Sequence, residues 1–171
     1  SKIRIHQLLS GLSKSHDVTL LSFIDPSVSL TERHKQHSVC SDVRVVPWKT
    51  FDEKSLKARL RLLSPSPRFI LDTYSSQMDV LIRNTLSKKR IDLIIASQLS
   101  MASYYPCFKG IPALFEEIEL GIFYDQAHLT DNLPRRLRLH LTWFKLRGYF
   151  ARLLDSFRAC TVVSEGEQKL F

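Results

Sequence analysis

Three groups of polar residues in this chain have the types that hold or transform a hydroxyl-bearing or anionic ligand. Ser97 and Gln98, with Ser100, follow the apolar run IDLIIA at 91–96. An amide and two hydroxyls there suit hydrogen bonding to a ligand's own hydroxyls, while read locally Ser97 is a helix N-cap. Glu116, Glu117 and Glu119 gather at the end of IPALFEE, 111–117. Carboxylates at such a place orient a hydroxyl or accept its proton; the local alternative is a solvated turn that pairs with the chain's arginines. Ser164 and Glu165 end ACTVVSEGE, and Ser164 with Glu167 three residues on is the capping-box pattern. A helix start of that kind also attracts a phosphate.

A fourth group is cationic. Arg135, Arg136, Arg138, Lys145, Arg147 and Arg152 lie among Leu139, Trp143, Leu146, Phe150 and Leu153, whose spacing traces a core stripe. Such a face beside aromatics suits docking on anionic lipid; the plain alternative is a solvated basic helix. His34 and His37 stand three apart with no third ligand nearby, a weak basis for metal. Cys40, Cys107 and Cys160 form no CxxC pair and are odd in number, so neither a disulfide framework nor a structural zinc is indicated. Reduced thiols in a cytoplasmic setting are expected, and Cys160, in an apolar strand, reads as a buried small hydrophobe.

The elements that must position these groups are legible as alternation. A helix is expected where Ile3, Ile5, Leu8, Leu9 and Leu12 recur, then a strand DVTLLSF at 17–23 stopped by Asp25-Pro26. A polar stretch holding the two histidines reads as a surface helix, followed by the strand VRVVP at 43–47. Leu56, Leu60 and Leu63 mark a helix over 52–63, and the prolines of SPSPR force a loop. Tyr74 to Lys89 is amphipathic through Met78, Leu81, Ile82 and Leu86, and Lys88-Lys89-Arg90 favours its C-terminal end. IDLIIA and IPALFEE read as strands buried on both faces. Residues 118–133 read as irregular and acidic, the long basic helix runs over 134–157, and CTVV at 160–163 is a buried strand.

Strands alternating with helices imply parallel pairing and right-handed crossovers, hence a Rossmann-like, doubly wound, mainly parallel α/β sheet with helices on both faces. Ligands of such sheets bind outside the carboxyl ends of the strands, where Gln98, Glu116 and Ser164 fall. The chain opens on a helix, so the first strand of the sheet is expected to be missing from it. With 171 residues, 44% of them hydrophobic and 25% charged, one globular domain is expected. Five glycines are few for an all-β sandwich. The excess of 25 Lys+Arg over 17 Asp+Glu, a net charge of +8, predicts attraction to polyanions. No zinc-finger spacing, RNP-like strand or helix-turn-helix pattern appears, so specific nucleic-acid recognition is not expected. No run of about 18 apolar residues exists to span a bilayer.

Four segments carry a resemblance. SKIRIHQLLSGLSKSHDVTLLSF, RIDLIIASQLSMASYY, IPALFEEIELGIFYD and LRGYFARLLDSFRACTVVSEGEQKLF resemble, in that order, the N-terminal domain of GT-B glycosyltransferases of family 4. The resemblance implies hexosyl transfer, with retention, from a nucleotide-sugar donor to an acceptor held by this domain, and a second, donor-binding domain that this chain lacks. No cofactor is expected on this domain itself. Its partners would be a sugar or lipid-linked acceptor and an anionic membrane surface, at the cytoplasmic face. Ser97, Gln98, Glu116, Glu117, Ser164 and Glu165 become the acceptor-binding candidates. Many relatives follow the acidic pair with His-Asn, whereas here Ile118-Glu119 follow Glu116-Glu117, so that histidine's role has no counterpart and no catalytic residue is assigned. The reading from a different class is a non-catalytic α/β ligand-binding or scaffold module. A nicotinamide-dependent enzyme is disfavoured because no GxGxxG follows a strand.

Overall fold

A computed structural model describes residues 2–25, 39–48, 50, 64–108, 110–118 and 120–170. The helix expected over 52–63 and the histidine-bearing stretch with His34 and His37 lie outside the described residues. The elements are α1 (Lys2–Leu12), β1 (Thr19–Ile24), β2 (Asp42–Pro47), α2 (Arg68–Thr73), α3 (Ser76–Lys88), β3 (Ile94–Ser97), α4 (Gln98–Ala102), a 3-10 turn at Tyr105–Cys107, β4 (Ala113–Ile118), α5 (Gly121–His128), α6 (Leu133–Leu154), β5 (Ala159–Val162) and α7 (Glu165–Gln168).

Among the described residues the molecule is mixed α/β and every strand pairing is parallel, as the alternation demands, but the strands form two small open sheets. β1 pairs with β2 from Thr19↔Asp42 to Ile24↔Pro47. The second sheet has the order β3-β4-β5, with β4 in the middle. Among the described residues, no strand pairs with the other edge of β1 or of β3, which is why the expected single sheet is divided.

One hydrophobic cluster nevertheless serves both sheets. Val46 of β2 belongs to the same core as Met78 and Ile82 of α3, Ala96 of β3, Phe115 of β4 and Leu146, Phe150 and Leu153 of α6. Phe115 is fully buried and stacks on Phe150 at 5.9 Å. Lys89 adds a polar tie: from the end of α3 its Nζ donates to Thr19 Oγ1 at 3.0 Å and pairs with Asp42 Oδ2 at 2.9 Å. Those are the first residues of β1 and β2.

Several expectations need correction. Residues 118–133 are not wholly irregular, since Gly121–His128 is helical. The SPSPR loop runs straight into a helix missed in the sequence, α2. The helix expected from the recurrence of Ile3, Ile5, Leu8, Leu9 and Leu12 is present as α1, with Ile3 itself 76% exposed. β5 is not buried: among the described residues it is an edge strand paired with β4 alone, and Ala159, Cys160 and Thr161 are exposed. The long helix and its inner stripe match expectation. Asn132 Oδ1 accepts from Arg135 N at 3.0 Å as N-cap, Pro134 occupies the first turn, and Leu146, Phe150 and Leu153 are buried.

Candidate functional site

The carboxyl ends of the three strands in the second sheet carry a row of polar side chains. Ser97 ends β3 and stands in register with Glu116 of β4. Its hydroxyl donates to Glu116 Oε2 at 2.7 Å. The other oxygen, Oε1, lies 2.7 Å from the Arg4 guanidinium, on the first turn of α1. The same guanidinium donates to Thr161 Oγ1 of β5 at 3.3 Å. Glu116 is buried, at 6% exposure, so its charge depends on these partners. Arg4 remains partly open to solvent.

Two backbone irregularities frame the row. Between Phe115 and Ile118 the β4–β5 register slips by one residue, a bulge that includes Glu116. An extra residue in one strand bends it and re-aims its side chains, a common device beside binding sites. Gln98 follows Ser97 with φ of 66°, a left-handed conformation that a side chain makes unfavourable by about 1–2 kcal/mol. The strand therefore becomes a helix with no linking residue, and exposed Gln98 sits at the corner.

This geometry changes the local reading of Ser97. It stands at the N-cap position of α4, yet its side chain makes no capping bond. The hydroxyl is committed to Glu116 instead, a partner that only parallel strand register brings near. Ser164 keeps its expected role, because Glu167 N donates to Ser164 Oγ at 3.2 Å. Glu167 does not complete a local capping box. Its buried carboxylate accepts from Leu120 N at 2.7 Å and Gly121 N at 2.8 Å, the start of α5. A Cβ on Gly121 would stand 2.8 Å from Oε1, so glycine is what lets the carboxylate approach. Ser164 and Glu165 are exposed on the turn after β5. The Glu117 side chain and Glu119 lie outside the described residues.

The cationic candidates stand apart from the row, on α6. Arg135, Arg136, Arg147 and Arg152 are exposed, while Arg138 and Lys145 are half-buried. Among the described residues, no three His, Cys, Asp or Glu side chains converge as a metal site. No helix there is long and apolar enough to cross a membrane. A surface groove between β2 and α3, lined by Arg44, Val45, Val80 and Asn84, contains none of the candidates. The row is the better candidate for a hydroxyl-bearing ligand, because the groove presents mainly apolar surface.

One cluster went unrecognised in the sequence. Asp79 Oδ1 accepts from Tyr74 OH at 2.6 Å and from Cys107 Sγ at 3.0 Å, and Oδ2 accepts from Arg83 Nε at 2.7 Å. Hydrogen bonds from Arg83, then Cys107 and Tyr74, hold the Asp79 carboxyl well below its usual range. Burial, then the hydrogen bond to Asp79, pushes the Cys107 thiol up to about 11. The same two causes raise the Tyr74 phenol. A thiol so protonated is a poor nucleophile, and the cluster reads as a brace between α3 and the 3-10 turn. The Asp79–Arg83 spacing of four was its visible signal; Cys107 had none.

Comparison with protein-family models, curated proteins and solved structures returned no match.

Proposed function

We propose that this chain is the acceptor-side, Rossmann-like domain of a GT-B glycosyltransferase of family 4, which takes its sugar from a nucleotide-sugar donor bound elsewhere. The four-segment resemblance supports this reading, as does the parallel pairing of every strand among the described residues. The finer fold that it requires is a doubly wound sheet, with one further strand between β1 and β3 uniting the two halves.

The observation that carries the proposal is the Ser97–Glu116 pair at the carboxyl ends of adjacent parallel strands. Ligands of open α/β sheets bind at that end. Ser97 spends its proton on Glu116, so its oxygen retains acceptor capacity for a sugar hydroxyl. Arg4 and the Gln98 amide supply donors, and Thr161, Ser164 and Glu165 extend the polar surface across β5. Both Glu116 oxygens are already occupied. Glu116 is therefore a positioning residue that orients Ser97 and Arg4, rather than the base that takes the acceptor's proton.

That same occupancy favours a second reading, a non-catalytic α/β module in which the row only latches α1 to the sheet. Titrating isotope-labelled chain with millimolar methyl glycosides separates the two. Shift changes centred on Ser97, Gln98 and Thr161, lost in Ser97→Ala, are expected of an acceptor site. Unmoved resonances along the row, across a panel of common hexosides, would reject it.

A further inference from the structure

Helix α6 presents apolar residues on two sides. The inner stripe is in the core, but Leu133, Leu137, Leu141 and Phe144 are 71%, 75%, 45% and 76% exposed. At 100° per residue these four fall within an arc of about 80°. Single exposed leucines are ordinary, whereas a continuous apolar ribbon marks a contact surface. The same helical geometry sets Arg136 and Arg147 along one border of the ribbon, and Lys145 and Arg152 along the other. The 22-residue helix contains six Arg and Lys and no Asp or Glu.

We infer that the Leu133–Leu137–Leu141–Phe144 ribbon docks on an anionic lipid bilayer, with α6 lying in the interface plane. Charge complementarity selects this occupant: the chain carries +8, and the ribbon is bordered by cations on both sides. Long basic side chains reach headgroup phosphates while leucine and phenylalanine enter the acyl boundary between them. An acid-free helix of this length, about 33 Å, offers a flat apolar strip suited to a bilayer surface. The inference uses nothing from the sugar-transfer reading and stands or falls without it.

Co-sedimentation of the full chain with phosphatidylcholine vesicles, and with vesicles that also contain phosphatidylserine, tests it. Binding to the anionic vesicles is expected to exceed neutral binding by about tenfold or more, and to fall as salt rises. The double variant Leu137→Asp/Phe144→Asp should lose about tenfold or more in partitioning with unchanged thermal unfolding, since both side chains point into solvent. Arg136→Gln/Arg147→Gln should lose about tenfold through charge alone. Equal binding to both vesicle types, or undiminished binding by the Asp variant, would overturn the inference. So would lipid-independent self-association that the same variant abolishes, because a second copy would then cover the ribbon.

Discussion

Arg4 and Glu116 stand 2.7 Å apart, joining the first turn of α1 to the bulged end of β4. The two partners are unequal: Glu116 is buried, whereas Arg4 is half open to water. Removing the arginine strands a buried carboxylate with only the Ser97 bond, while removing the carboxylate leaves a cation that water can solvate.

Arg4→Ala should therefore destabilise by about 2 kcal/mol, and Glu116→Gln by about 1 kcal/mol. Urea unfolding midpoints measure both. The reverse order would mean that Glu116 is anchored by other groups.

Glu167 caps α5 across a long sequence separation. Glu167→Ala should cost about 1–3 kcal/mol, since two amides lose their acceptor. Hydrogen exchange at Leu120 and Gly121 should accelerate in that variant and remain slower in Glu167→Gln. Gly121→Ala should mimic the loss, because the new methyl would displace the carboxylate.

The thiols should sort by exposure. Cys160 is exposed, contrary to the expectation of a buried residue, while Cys40 and Cys107 are buried. Burial raises Cys40, and Cys107 sits at about 11. A disulfide-exchange reagent at neutral pH should titrate one equivalent in the native chain, lost in Cys160→Ser, and all three only after unfolding.

Acid should loosen the brace at Asp79. Its folded carboxyl titrates below the unfolded value of about 3.9, so the stabilisation is present above that value and is lost as pH falls through the folded one. Asp42 has the same sign, lowered first by Lys89 and then by Arg44. Urea midpoints should drop below pH of about 4, and Asp79→Asn should flatten that slope.

Local signals were legible and long-range ones were not. The inner stripe of α6 and the Ser164 cap follow from spacing a few residues wide. α5 escaped notice because its stabilising acceptor, Glu167, lies 46 residues beyond Gly121. Ser97 read as a cap because its real partner becomes a neighbour only through strand register. Cys160 read as buried because apolar sequence does not say which strand ends at a sheet edge. The outward ribbon of α6 was masked by the arginines interleaved with it.

The Lys89 tie has a consequence for how the molecule opens. Among the described residues the two sheets share no backbone pairing, and beside the apolar contacts of Val46 the Lys89 ammonium at the end of α3 touches the first residues of both β1 and β2. The β1–β2 pair should therefore behave as its own cooperative folding unit, exchanging amide protons through partial openings that leave β3, β4 and α6 closed. Acetylation of Lys89, by removing the charge, would populate that half-open form.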